Sequence, residues 1–84
     1  MIYVYVLCSE LDGQLYTGCT RDLRNRVALH NAGQVPSTKN RRPLRLVYYE
    51  AGLNEQDAFR REKYLKTTYG KRYIKTRCRN YFTG

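Results

Sequence analysis

The sequence predicts an α+β domain whose elements run in the order β-β-α-β-α-α. Three observations carry that expectation. The chain has 84 residues, too few for a second fold with a core of its own, so residues 1–84 are read as one domain. Apolar residues make up 42%, enough for a globular interior and too many for a disordered chain. The pattern also changes period, from β-branched, aromatic or alternating runs at 2–8, 15–19 and 44–50 to helical spacing between and after them.

Residues 2–8, Ile-Tyr-Val-Tyr-Val-Leu-Cys, have the composition of a packed strand. Asp12-Gly13 in the connection that follows supplies the positive-φ position of a tight turn, so a hairpin is expected. The second strand runs from about Leu15 to Cys19, with Gly18 as an interior glycine that marks a bulge or a close backbone approach. Thr20 or Asp22 can cap a first helix over about 21–32, closed by Gly33. Residues 33–43 hold two prolines and the cations Lys39, Arg41 and Arg42 with no acid, the composition of an exposed basic loop. Leu44, Leu46 and Tyr48 then alternate with Arg45, Val47 and Tyr49, as in a half-buried third strand. Asn54 and Asp57 resemble a capping box that opens a second helix over about 55–66. Gly70 separates it from a third, cationic helical stretch over 71–82, where Tyr73, Ile74, Cys78, Tyr81 and Phe82 fall at helical spacing.

Charge narrows the class of partner. Sixteen Lys and Arg against seven Asp and Glu leave +9, with a pI near 9.8, which attracts polyanions such as nucleic acid or an anionic membrane surface. The longest apolar run, residues 2–8, is far below the ~20 residues of a membrane helix. No basic leader or cleavage site follows Met1, so an intracellular, cytoplasmic location is expected. Cys8, Cys19 and Cys78 form no Cys-x-x-Cys pair and there is a single His, which argues for reduced, mostly buried thiols and against a structural zinc site.

Glu62 breaks the apolar pattern. At ~100° per residue, with Ala58 as zero, Leu65 falls near ~−20°, Tyr69 near ~20° and Phe59 near ~100°, and Glu62 lies among them at ~40°. A carboxylate on an apolar face must be neutralised, paired or bound to a metal. Two readings follow, an ion pair with one of the arginines or a metal-binding carboxylate in a cleft. Arg26 and His30, four apart, share a face of the first helix beside Leu23 and Val27. They are either a solvated basic face, with Asp22 pairing to Arg26, or part of a site. The hairpin would bring Tyr5 and Tyr16 together, as packing residues or as paired phenols.

These residues, in this order, resemble the GIY-YIG nuclease family. Tyr3-Val4-Tyr5 is similar to its first strand motif and Tyr16-Thr17-Gly18 to its second, with Tyr3 in place of the first glycine and Thr17 in place of the central isoleucine. The run from Thr20 to His30 resembles the family's Thr-x-x-Leu-x-x-Arg-x-x-x-His helix, and Ala58 to Lys63 resembles its glutamate helix. The likeness covers about residues 2–66. It implies a small three-stranded antiparallel sheet flanked by helices, and a metal-dependent endonuclease that hydrolyses DNA phosphodiester bonds in a structure- or repair-related role.

In this resemblance Tyr5 is a general base or water-positioning phenol, Tyr16 holds the phosphate or water, and Arg26 binds phosphoryl oxygens. His30 carries the proton onward, and Glu62 holds one Mg²⁺ or Mn²⁺. Whether Tyr5 or His30 is the base stays open, as does the choice among duplex, branched and single-stranded DNA. Gly18, Thr38, Lys39, Arg41, Arg42 and Arg45 are expected to meet the substrate, the cations tracking its phosphates together with the third helix. No small-molecule cofactor and no membrane are implied. A non-catalytic nucleic-acid-binding module of the same fold is the competing reading, and a protein that binds acidic partners is a third.

Overall fold

The β-branched and aromatic run at the start of the chain forms the central strand, β1 (Ile2–Ser9), in a computed structural model that describes residues 1–84. Gly13 adopts the left-handed conformation, φ 72°, that the turn needs and other residues avoid. β2 (Leu15–Thr20) returns antiparallel to β1. β3 (Leu44–Gly52) pairs antiparallel with the other edge, so the sheet order is β2-β1-β3.

Alternation along β1 divides its side chains between two layers. Ile2, Val4 and Val6 pack with Ala58 and Leu65 of α2 (Glu55–Leu65) and with Ile74 of α3 (Thr68–Arg77), each 7% exposed or less. Burial of an aliphatic side chain contributes about 1.5–3 kcal/mol, so this layer is the main source of stability. On the opposite face Tyr5, Leu7 and Leu44 pack with Tyr16, Leu46, and Leu23 and Val27 of α1 (Leu23–Asn31). Asn31 ties α1 to β3, donating from Nδ2 to the Leu44 carbonyl at 2.9 Å and accepting the Leu44 N–H at 2.8 Å. The helices start on side-chain caps: Asp22, Asn54 and Thr67 accept the N–H groups of Asn25, Asp57 and Gly70.

Four expectations are corrected. The third strand does not alternate without interruption, because a register shift opposite Val6 and Leu7 leaves Val47 outside the pairing. Leu44 and Leu46 therefore face α1, while Tyr48 turns to the α2–α3 layer. The final helical stretch is broken at Cys78 (φ −110°, ψ 29°) into α3 and a short α4 (Arg79–Thr83). Gly70 does not separate helices. It is buried within α3, where a Cβ would strike the Tyr64 carbonyl and the Leu65 backbone, so its lack of a side chain lets α3 begin hard against the end of α2. The apolar face drawn for the second helix also fails in part, since Phe59 is 51% exposed and Tyr69, 68% exposed, belongs to α3.

The 33–43 segment is less open than its composition suggests: Val35 and Thr38 are buried, and Lys39–Arg41 forms a 3-10 turn. The cysteines form no disulfide, Cys8 being buried and Cys19 and Cys78 half-buried. No helix is long and apolar enough to cross a membrane.

Candidate active site

Tyr5 stands at the middle of β1, directly opposite Gly18 of β2. Its ring lies across the glycine: a Cβ built there would sit 2.5 Å from the Tyr5 hydroxyl and 2.7 Å from Cζ. The absence of a side chain at Gly18 thus makes room for the phenol. Tyr5 is 1% exposed, and its hydroxyl is 2.8 Å from His30 Nε2, in the last turn of α1. His30 is itself fully buried, and its Nδ1 is 2.8 Å from Thr38 Oγ1.

Two proton arrangements fit these distances, related by the imidazole tautomer. In one, the Thr38 hydroxyl hydrogen is turned toward the Val35 carbonyl, 3.5 Å away, and Oγ1 accepts the His30 Nδ1–H. Nε2 is then unprotonated and accepts the Tyr5 O–H. Burial, and after it the charge of Arg26, hold the His30 imidazole below its ordinary pKa. Burial pushes the Tyr5 phenol above its own, against the hydrogen bond and charge of Arg26. Both groups are therefore neutral near pH 7, and in this tautomer a phenol donates to an imidazole with room for a proton.

Tyr16 and Arg26, both half-buried, cover this pair on the solvent side. The Tyr16 ring meets His30 edge-on at 5.0 Å between centroids and lies 6.4 Å from Tyr5. The expected pairing of Asp22 with Arg26 does not form, because the Asp22 carboxylate is spent on its cap.

Glu62 comes from the other layer and sits beside the β2 edge. Its side chain is 21% exposed and Oε2 is 2.9 Å from Lys66 Nζ, one turn on. The ion-pair partner is thus a lysine and not an arginine; the adjacent Arg61 takes Glu50 at 2.6 Å. Burial, then the hydrogen bond and charge of Glu62, push the Cys19 thiol of β2 up to about 12. The same negative charge reaches Tyr5, whose phenol it disfavours ionising. Strand β2 is therefore flanked by the relay on one face and by one carboxylate on the other.

The donor set bears on a metal. No group of three or more His, Cys, Asp and Glu side chains is gathered anywhere, so the chain offers one carboxylate and no cage. A hard divalent ion that keeps most of its water fits such an anchor. The carboxylate is at present paired with the ammonium of Lys66, whose side chain is 56% exposed.

The expected substrate residues divide. Thr38 is fully buried with its hydroxyl on His30, so it orients the imidazole and is out of reach of a phosphate. Arg41 is drawn inward to Asp12 at 3.5 Å, and Arg45 pairs with Glu10 at 3.1 Å. Arg42 donates from Nε to the Lys39 carbonyl and remains exposed, as does Lys39. These last two flank a shallow hollow with Asn31 and Asn40. The hold of Thr38 on His30 crosses a loop and leaves no periodic trace in the sequence. Lys66, absent from the expected site residues, stands at the i, i+4 spacing from Glu62 that favours such a pair.

Comparison with known proteins identifies the family. A family model described as the GIY-YIG catalytic domain matches residues 1–77. A UPF0213 protein of Staphylococcus haemolyticus is 46% identical over 66 residues, 77% of this chain and 79% of that one. One from Staphylococcus aureus is 46% identical over 67 residues, with the same shares covered. The solution NMR structure of a UPF0213 protein from Bacillus halodurans aligns with a TM-score of 0.57 at 34% identity, covering 90% of this chain and 84% of the other. With the tyrosine–glycine pairing across the hairpin and the arginine–histidine helix above it, this chain belongs to the GIY-YIG nuclease family, among relatives named UPF0213.

Proposed function

We propose that this chain is an endonuclease that hydrolyses DNA phosphodiester bonds with one divalent cation, Mg²⁺ or Mn²⁺, anchored by Glu62. The observation that supports the reading is the buried Tyr5–His30–Thr38 relay, whose phenol lies within the influence of the half-buried Arg26 and has an imidazole nitrogen behind it. Tyr5 Oη takes a proton from the attacking water as its own passes to His30 Nε2, so the phenol and the imidazole act together as the base. Thr38 keeps the imidazole in the tautomer this transfer needs. Burial of both groups keeps bulk water out of the Tyr5–His30 bond and confines the proton to it. Arg26 offers a planar fork to two phosphoryl oxygens, and the half-exposed Tyr16 hydroxyl orients the phosphate or the water. When bound, the cation offsets charge on the phosphoryl and leaving oxygens.

Cations that meet phosphates carry no sequence information. This suits an enzyme selecting DNA by structure, as in repair, and acting in the cytoplasm. The test is a panel of labelled duplex, branched and single-stranded DNAs incubated with Mg²⁺ or Mn²⁺. Wild type should cleave at least one member, and Tyr5→Phe and Glu62→Gln should each lose about 100-fold or more while still binding DNA. If no member is cut, the chain is a non-catalytic binding module, the reading favoured by one observation, the lysine already seated on Glu62.

A further inference from the structure

Positive charge is distributed unevenly along this chain. Nine of the sixteen Lys and Arg and all seven Asp and Glu fall in residues 1–62, a balance of +2. The remaining seven cations, with no acid among them, fall in residues 63–84. The part of the chain that builds the relay is thus nearly neutral, and the polyanion-seeking character lies in its C-terminal helices.

There the charge is ordered. Lys71, Arg72, Lys75 and Arg79 line one concave surface with Thr68 and Thr76, and no apolar side chain enters it. These six positions recur at intervals of three and four, so they form one stripe along α3 into α4. None of the four cations takes part in any of the six ion pairs. Lys71 and Lys75, and Lys75 and Arg79, are like charges four apart, an arrangement that weakens a helix and gains nothing within the chain.

The stripe and the relay lie on opposite faces of the sheet. α3 is anchored through Ile74 on the Ile2, Val4 and Val6 face, and on the β3 side of it: Cys78 Sγ donates to the Val47 carbonyl at 3.7 Å, and the Tyr48 and Tyr73 hydroxyls are 3.4 Å apart. Tyr5 and His30 lie on the other face, beside β2. The molecule measures 33 × 29 × 18 Å, whereas duplex DNA bends smoothly only over a persistence length of about 50 nm. A straight duplex laid on one of these faces leaves the other free.

We infer that the α3–α4 stripe is a second phosphate-binding surface, which grips a nucleic-acid segment other than the one presented to Tyr5 and Arg26. The chain thereby holds two segments at once. The identity of the first segment rests on the proposed nuclease reading; the second surface stands on charge and placement alone. Lysines, arginines and hydroxyls without apolar or aromatic lining read the backbone, so the second segment is held without regard to sequence.

The test uses the full chain, a short DNA duplex, and the triple variant Lys71→Ala/Lys75→Ala/Arg79→Ala. All three side chains are exposed and repel one another, so the variant should melt at or above the wild-type temperature, separating loss of binding from loss of fold. Native mass spectrometry at saturating duplex should show one wild-type chain carrying two duplexes and the variant carrying one. The slope of log K against log salt for the weaker site should disappear with it, about 0.9 for each phosphate that is no longer neutralised. A wild-type chain that saturates at one duplex overturns the inference, and so does a variant that still carries two. The cleavage panel decides the nuclease reading separately: two bound duplexes without cleavage remove the enzyme and keep the second surface, and cleavage with one bound duplex does the reverse.

Discussion

Gly18→Ala tests the relay through a residue that makes none of its hydrogen bonds. The backbone at Gly18 is not left-handed, so alanine is permitted by conformation and excluded only by space. Its Cβ would lie 2.5 Å from Tyr5 Oη, 2.7 Å from Cζ and 3.1 Å from Cε1, against about 3.5–4.0 Å for carbon atoms in ordinary contact. The ring would have to retreat by about 1 Å, and Tyr5, 1% exposed and packed among Leu7, Leu44 and Tyr16, has nowhere to retreat without repacking. A retreat of that size stretches the 2.8 Å bond to His30 beyond the ~3.2 Å limit of a sound hydrogen bond. Overpacking costs about 1–3 kcal/mol, and a buried His30 nitrogen without its donor about 1–3 kcal/mol more. At roughly 4–8 °C per kcal/mol for a domain of this size, the melting temperature should drop by about 8 °C or more. DNA cleavage should fall with it.

Thermal unfolding of Gly18→Ala, Tyr5→Phe and the double variant separates the two costs. Removing the hydroxyl deletes the 2.5 Å contact and the His30 bond together. The double variant should therefore cost about 1 kcal/mol less than the sum of the singles. If Gly18→Ala melts within about 2 °C of wild type and cleaves normally, the phenol is not held against the glycine, and the account of Gly18 is wrong.

Thr38→Val should cost about 1–3 kcal/mol, because the His30 Nδ1–H is left buried without an acceptor, and should lower the cleavage rate; Thr38→Ser should restore both, and failure of serine to do so would make the role one of shape. The pH dependence follows from His30, whose folded pKa lies below the unfolded value of about 6.5. Its contribution to stability is complete above that value and is lost as pH falls from it through the lowered folded pKa, and cleavage should fall on the same side as Nε2 becomes protonated; denaturant titrations and rates from pH 7 to 5 check both, and flat profiles would refute it. Glu62→Gln should change stability by less than about 1 kcal/mol, since its partner Lys66 is a largely exposed i, i+4 lysine, while Mn²⁺ binding followed by electron paramagnetic resonance disappears. Lys66→Met should raise Mn²⁺ affinity by removing the competing ammonium, and an unchanged affinity would show that the lysine does not compete.

Much of the candidate site's geometry is legible in the sequence because it lies on regular elements. Tyr5 and Gly18 face each other across a hairpin whose turn was marked by Asp12-Gly13, and Arg26 and His30 share a helix face by simple periodicity. The helical wheel that singles out Glu62 is only half correct: Ala58 and Leu65 are buried as it requires, but Phe59 and Tyr69 are not. A wheel extends a helix indefinitely, whereas α2 ends at Leu65. Gly70 misled for a related reason, since a glycine demanded by close packing looks the same in sequence as one that ends a helix. The bulge at Val47 depends on the partner strand, and no local pattern encodes it. Among the loop cations composition was blind to partners: Arg41 and Arg45 are neutralised by Asp12 and Glu10, some thirty residues away in sequence.

The two layers of this fold place different demands on substitution. Ile2, Val4, Val6, Ala58, Leu65 and Ile74 make an apolar layer that owes nothing to the relay. On the other face the relay is itself part of the interior, for Tyr5, His30 and Thr38 are among its most buried side chains and each finds its hydrogen-bond partner within the chain. A polar network at that depth is stabilising only while every member is satisfied. Its geometry is thus guarded by folding as well as by chemistry, and any change that frees the imidazole also weakens the domain. Tyr16, Arg26 and Glu62 lie at the margin and are only half-buried, Arg26 acting on the Tyr5 phenol from the edge of that network. Substitutions there can alter what meets the phenol while leaving the fold intact. Loss of stability together with activity at Tyr5, Gly18, His30 and Thr38, against loss of activity alone at Arg26 and Glu62, is the pattern this division requires. Scanning all six positions for melting temperature and cleavage tests it, and a stable but inactive Thr38→Val, or an unfolded Arg26→Ala, would break it.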